Sequence, residues 1–174
     1  MWLRANTRPG AVAAIVGAAA SVLLAVGLRP WEGTGEGAWR WAIVVLPAVV
    51  GATFLAVAGL PRLRLDRGRV VVRLAPLRGH DVPLEFVECF FLGSRLEPPR
   101  VTDGTVGGKR VRTLVMRVAE RAGTHAARAT FAPWGRWEDG SVTFDGRWCE
   151  PLSVDLARSL NRALAAAKRG EDGA

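Results

Sequence analysis

Four side chains in this sequence are of the kind that bind metals or move protons: Cys89, Cys149, His80 and His125. A Cys2His2 zinc site needs its ligands in close pairs, such as CxxC and HxxxH, because a tetrahedral metal must be reached from two short loops. None of the four has a partner at that spacing, and the two cysteines give neither a CxxC pair nor a disulfide framework, so two packed thiols in a reducing compartment are expected. His80 beside Asp81, or His125 alone, could serve as an acid-base group. No nucleophile motif accompanies either, and Gly107-Gly108-Lys109 lacks the earlier glycine and the following Ser/Thr of a phosphate-binding P-loop. No cofactor, metal or small-molecule substrate is expected.

The remaining chemistry is charge. Nearly all the cationic residues are arginine, and of the formal +8 charge, +6 lies after residue 60. No helix-turn-helix, zinc finger or RNP-like string accompanies it, so anionic lipid headgroups or an acidic protein are better-matched partners than nucleic acid. Arg67, Arg69, Arg73, Lys109 and Arg110 are the candidate contacts, joined by Trp134 and Trp137, which lie in a Pro/Gly-punctuated stretch expected to be a loop. The competing reading for these tryptophans is that they cap an open end of a sheet.

These groups must be positioned by two unlike parts of the chain. From Ala11 to Leu28 there are 18 residues without a charge, and from Ala42 to Leu60 another 19. At about 1.5 Å per residue they reach about 27 and about 29 Å, the thickness of a bilayer's hydrocarbon core. A cleaved signal peptide would not be followed so soon by a second such run, and a globular hairpin would show a polar face. The connector is rich in glycine and tryptophan, with Trp31, Trp39 and Trp41 where an interfacial aromatic belt is expected. Arg62 and Arg64 stand at the exit of the second helix as further interface residues. Arg4 and Arg8 precede the first helix, so the positive-inside rule puts both termini in the cytoplasm of a two-pass inner (cytoplasmic) membrane protein. Small residues recur at Ala13, Gly17, Ser21 and Ala25, and at Ala48, Ala52 and Ala56, a spacing that suits a tight hairpin or a homo-oligomer. Neither helix carries an ionisable group, so the hairpin reads as an anchor rather than a transport path.

Beyond Pro61 the hydrophobic pattern turns to short alternating runs. Strands are expected at Arg62–Asp66, Arg69–Leu74, Asp81–Phe91, Val111–Ala119, more weakly at Ala126–Ala132, and at Ser141–Trp148. A long loop is expected at Gly93–Arg110. Leu152, Leu156, Leu160, Ala163, Leu164 and Ala167 mark a final amphipathic helix. The domain plan is a tail at 1–10, a hairpin at 11–60 (helices about 11–28 and 42–60), an α+β domain at 61–169 and a flexible tail at 170–174.

The order of strands followed by one helix, and the segment RLRLDRGRVVVRLAPLRGHDVPLEFVEC with Asp81, Pro83, Leu84 and Val87, resemble the PH-like (pleckstrin-homology-like) domains of small bacterial two-pass membrane proteins. The resemblance covers about residues 61–169 and, with the hairpin, nearly the whole chain. It implies an antiparallel β-barrel or sandwich capped by the C-terminal helix. It also implies a non-enzymatic binding or scaffolding role toward a protein partner or anionic lipid. Two departures stand out: the tryptophan that eukaryotic PH domains carry within the last helix is here Trp148, before it, and Arg64, Arg67, Arg69 and Arg73 only loosely imitate the basic phosphoinositide pattern. A membrane-associated enzyme using His80 or His125, and a small accessory subunit of a membrane complex, are the alternatives.

Overall fold

The computed structural model describes residues 2–27, 37–96, 110–125 and 127–170. The chain divides into two units, residues 6–60 and residues 1–5 together with 61–174.

The first unit is a helical hairpin, α1 (Arg8–Gly27) and α2 (Gly37–Ala58). Asn6 caps α1, its side-chain oxygen accepting from the Arg8 N–H at 3.1 Å, and Pro9 sits in the first turn, where a missing N–H costs nothing. Both helices are long and apolar enough to cross a membrane, with mean hydropathy 2.2 for Arg8–Gly27 and 2.3 for Trp41–Ala58. Each starts several residues earlier than its charge-free run, because Arg8 and Arg40 join the first turns. Glycines set the approach of the two backbones. A Cβ on Gly17 would overlap the Pro47 carbonyl, one on Gly51 would lie 2.8 Å from the Ala13 carbonyl oxygen, and one on Gly10 would lie 3.0 Å from the Ala58 Cβ. The expected stripe on α1 is therefore used at Ala13 and Gly17. The expected stripe on α2 is not: Ala52 and Ala56 are exposed, and Pro47, Gly51 and Ala58, one column over, make the contact. Leu23, Ile15 and Leu46 point outward, giving the pair an apolar outer surface.

The second unit is α+β. A three-stranded antiparallel sheet, β1 (Leu63–Asp66), β2 (Arg69–Val72) and β3 (His80–Pro83), runs in that order. Arg67 and Gly68, both at positive φ, make the tight β1–β2 turn whose twist matches the strands. A four-stranded antiparallel sheet follows, built from β4 (Val87–Leu96), β5 (Arg110–Val118), β6 (Gly135–Glu138) and β7 (Ser141–Asp145) in the order β4-β5-β7-β6. Among the described strands the two sheets stay separate, each with its own ladder. The stretch 127–132 is not a strand, whereas the expected tryptophan loop contains one: Gly135 and Trp137 point inward, Arg136 and Glu138 outward, and Asp139-Gly140 turns the chain into β7. The expected long loop begins later, since residues 93–96 extend β4; residues 97–109 lie outside the described residues.

The last helix, α3 (Val154–Arg169), starts on Ser153, whose hydroxyl accepts from the Leu156 N–H, and ends on left-handed Gly170. It buries Ala157, Leu160 and Leu164. Asn161 then acts like one residue of a further strand: its amide oxygen accepts from the Phe90 N–H and its NH2 donates to the Phe90 carbonyl, both at 2.8 Å. One backbone position of the β4 edge is thereby covered.

The expected N-terminal tail is not a tail. Leu3 is fully buried and bridges Leu63, Ala5 bridges Cys149, and the Glu150 N–H donates to the Arg4 carbonyl at 3.0 Å. The Arg4 N–H in turn donates to the Glu150 carboxylate at 2.7 Å, and Trp2 packs edge-on against Phe90 at 5.9 Å. The β domain is thus discontinuous, and the hairpin is an insertion between its first strand-like segment and β1.

Candidate functional site

Strand β5 carries Arg110 and Arg112 two residues apart, which in a pleated strand sends both side chains to one face, and both are exposed. Thr113 pairs with Asp145 of β7, so the turn leaving β7 falls beside them. That turn begins with Gly146, whose N–H donates to the Arg112 carbonyl at 3.0 Å. A Cβ at position 146 would lie 2.6 Å from that carbonyl oxygen, so only glycine permits the approach. Arg147 is next and is the third arginine lining a cleft of about 360 Å³, with Val111, Gly146, Pro151 and Leu152 also on its wall.

One carboxylate holds Arg147 in place. Asp145 is 3% exposed and receives a fork from Arg147, Nε to Oδ1 at 3.0 Å and Nη2 to Oδ2 at 2.8 Å. The Arg147 N–H adds a bond at 3.0 Å and Arg95 of β4 another at 2.9 Å. Burial alone would raise this carboxyl, but the hydrogen bonds and charges of Arg147 and Arg95 outweigh it and hold Asp145 below the ordinary carboxylate value. Arg112 is steadied by donating to the Leu152 carbonyl at 3.3 Å. Arg110 has neither an ion pair nor a hydrogen bond among the described residues. Among the described residues, Asp145 is thus held by two arginines, Arg95 and Arg147, while Arg110 and Arg112 alternate to the other face of β5.

Of the residues expected from sequence to meet a partner or lipid, only Arg110 belongs to this cleft. Arg64, Arg67, Arg69 and Arg73 lie on or beside the three-stranded sheet, where Arg64 pairs with Asp66 at 3.6 Å and Arg69 with Asp81 at 4.0 Å. Trp31 and Lys109 lie outside the described residues; Trp39 is within α2, and Trp41 is exposed. Trp134 and Trp137 present no surface, being each 1% exposed. Trp137 donates from Nε1 to the His125 carbonyl at 2.7 Å, and Trp134 lies under a cation.

That cation is Arg62, expected at the membrane interface but fully buried in the β domain, its guanidinium 3.5 Å from the Trp134 ring centre. Its Nε donates to the Trp148 carbonyl at 3.3 Å, while Nη1, Nη2 and the Trp134 Nε1 have no hydrogen-bond partner among the described residues. Burial, then repulsion from Arg73, brings the Arg62 pKa down to about 10, which leaves it charged at neutral pH. Burial also pushes the Cys149 thiol up to about 12, so it is an unreactive neutral thiol in the closed domain.

The two histidines are packing groups. His80 meets Trp137 edge-on at 5.6 Å and His125 lies 6.1 Å from the Phe86 ring. Desolvation, helped by Arg128 and Arg78, lowers the His80 pKa. Among the described residues no group of three His, Cys, Asp or Glu is placed to hold a metal. A second cleft, of about 420 Å³, is lined by three glutamates, Glu85, Glu88 and Glu120, and three cations, with Arg117 paired to both Glu88 and Glu120.

No protein-family model, no curated protein and no solved structure matches the chain.

Arg112, Gly146 and Arg147 were not singled out by the sequence as site residues. The available signals were the Arg-x-Arg alternation at 110–112 and the Asp-Gly-Arg string at 145–147.

Proposed function

We propose that this is a two-pass protein of the inner (cytoplasmic) membrane whose β domain, PH-like in plan, lies with the N-terminal segment on the cytoplasmic side. There it acts as a non-enzymatic binding module for anionic lipid headgroups. The observation that carries the binding role is the cleft lined by Arg110, Arg112 and Arg147, on a domain whose chain is interrupted by two helices apolar enough to enter a bilayer. Two features support the topology. Arg4, Arg8 and the arginines after Pro61 favour the cytoplasm, and residues 2–5 pair with Leu63 and Cys149, so the chain leaves and rejoins one folded domain across an even number of spans. Seven strands followed by one helix that covers a sheet edge support the PH-like plan. The non-enzymatic reading draws on His80 and His125, whose rings are engaged with Trp137 and Phe86.

A single reporter cysteine in place of Glu120, whose side chain is 94% exposed, tests the placement. An impermeant maleimide should leave it unlabelled in intact cells and label it after the membrane is opened. Labelling in intact cells would overturn the topology. Co-sedimentation of the full chain, held in nanodiscs, with anionic vesicles but not zwitterionic ones tests the headgroup contact, and equal recovery with both would refute it.

A further inference from the structure

We propose that the β2–β3 loop and the stretch before β6 form an apolar wedge that enters the headgroup–acyl boundary of an anionic bilayer leaflet. Leu77 and Phe131 lead it, and Arg78 and Arg128 rim it. This goes beyond headgroup binding at the arginine cleft and shares with it only the reading that the hairpin spans a bilayer. The surface it enters is that of the membrane in which the chain is itself anchored.

Leu77 is 86% exposed, more than any other large apolar side chain among the described residues, the outward Leu23 of α1 at 72% included. Phe131 is 40% exposed, and the two border a groove of about 400 Å³ between residues 75–78 and 129–131. The tip is held in place from beneath. The Phe131 N–H donates to the Leu74 carbonyl at 2.7 Å, Leu74 itself is fully buried, and the Phe131 ring meets Trp134 edge-on at 5.6 Å. Contact with acyl chains would take both side chains out of water, which is the driving force of interfacial insertion.

Charge and chain path select a bilayer over a protein surface. Residues 73–79 and 127–133 contain Arg73, Arg78 and Arg128 and no acidic residue. None of the three arginines has an ion pair or a side-chain hydrogen bond among the described residues, and Arg78 and Arg128 both repel a proton on His80, which places them together. The carboxylate that also acts on His80, Asp81, faces Arg69 at 4.0 Å. An apolar tip beside unpaired guanidiniums matches the layering of an anionic leaflet, acyl chains beneath phosphates, with the arginine stems lying along the boundary. The strand register puts this loop at the end of the sheet where the chain comes in from α2. Val72 pairs with Leu63, the Arg73 N–H donates to the Arg62 carbonyl at 2.9 Å, and Pro61 is three residues beyond Ala58, the end of α2.

The test places a fluorophore on Leu77→Cys in the full chain, with Cys89→Ser removing the half-buried thiol, in nanodiscs of mixed phosphatidylglycerol and phosphatidylcholine. Nitroxide-bearing lipid quenches it from the bilayer and acrylamide quenches it from water. Lipid quenching at position 77 should exceed, several-fold, that at Val154→Cys, an apolar site 54% exposed beside Asp155, and acrylamide quenching should be correspondingly weaker. Arg78→Gln/Arg128→Gln, or nanodiscs of phosphatidylcholine alone, should lower lipid quenching at 77 by about twofold or more. Slow labelling of Cys149 in each variant shows that the domain is folded. Equal lipid quenching at 77 and 154, or no loss when the charge is removed, overturns the proposal. Shielding of position 77 from both quenchers means that protein covers it, and overturns the proposal too. If position 77 stays in water while full-chain nanodiscs still sediment with anionic vesicles, the wedge falls and the headgroup reading stands. If position 77 meets lipid and both kinds of vesicle are recovered equally, the wedge stands and the headgroup reading falls.

Discussion

Leu3→Ala isolates the contribution of the N-terminal segment to the β domain. Leu3 is fully buried, and its backbone exchanges bonds with β1: its N–H donates to Leu63 at 3.2 Å, while the Arg62 and Leu63 N–H groups donate to its carbonyl at 3.0 and 3.4 Å. The substitution removes three carbons and leaves these backbone bonds in place. At about 0.8 kcal/mol per buried carbon the transfer loss is about 2.4 kcal/mol, and any unfilled cavity adds to it. Cys149, 2% exposed and bridged to Ala5, reports the opening, because its thiol pKa of about 12 makes the closed form unreactive. With Cys89→Ser leaving one thiol, labelling under conditions where reclosing is fast tracks the open population. A loss of about 2.4 kcal/mol then speeds Cys149 labelling by about 50-fold. Arg4→Ala, which removes an exposed side chain and keeps the same backbone bonds, should stay within about twofold. If Leu3→Ala speeds labelling by less than about threefold, the segment is not an integral strand of the domain.

Replacing Gly10 and Ala58 together by cysteine puts two Cβ atoms within disulfide reach, so mild oxidation should crosslink α1 to α2, seen as a mobility shift after cleavage of the connector. Adding Gly51→Val, whose Cβ would meet Ala13 and Ala14, should slow that crosslink several-fold. Arg62→Met keeps the bulk over Trp134 and removes an unpaired buried charge, so its stability to denaturant should fall by no more than about 1 kcal/mol; Arg62→Ala, which leaves a void, should cost more. His80 has a lowered pKa in the folded domain, so just below the ordinary value of 6.5 the unfolded chain binds the extra proton and the folded one does not. Stability should therefore rise as the pH climbs through this window and level off above it, and His80→Phe should flatten that slope in pH-dependent melting curves.

The helices were legible because eighteen residues without a charge have few other uses, whereas their rotation was not. Small residues occur both at Ala48, Ala52 and Ala56 and at Pro47, Gly51 and Ala58, and only the packing against Gly17 chooses between adjacent columns. The β1–β2 hairpin was readable from Arg67-Gly68, since a two-residue turn fixes register locally. Strand β6 was hidden because Pro133, Gly135 and Gly140 punctuate it, and the inward Gly135 and Trp137 are too few to show alternation. Arg110 could be read as a basic surface residue, but its companions depend on the Thr113–Asp145 pairing of strands far apart in sequence. Arg62 was assigned by its nearness to α2, and its burial follows from the stack on Trp134, a tertiary contact that charge patterning does not reveal. Four residues, Trp2 to Ala5, are too short to carry a period of their own.

The discontinuity of the β domain imposes an order on biosynthesis. Arg4 and its partner Glu150 are 146 positions apart, and the whole hairpin is made between them. At about 5–20 residues per second this is a wait of roughly 7–30 s, long compared with helix formation. Through that interval Leu3 has no completed site to enter, while both apolar helices have already left the ribosome. Both apolar helices are thus complete before the β domain can close, and the segment Trp2–Ala5, made ahead of them, is among the last parts of that domain to lock.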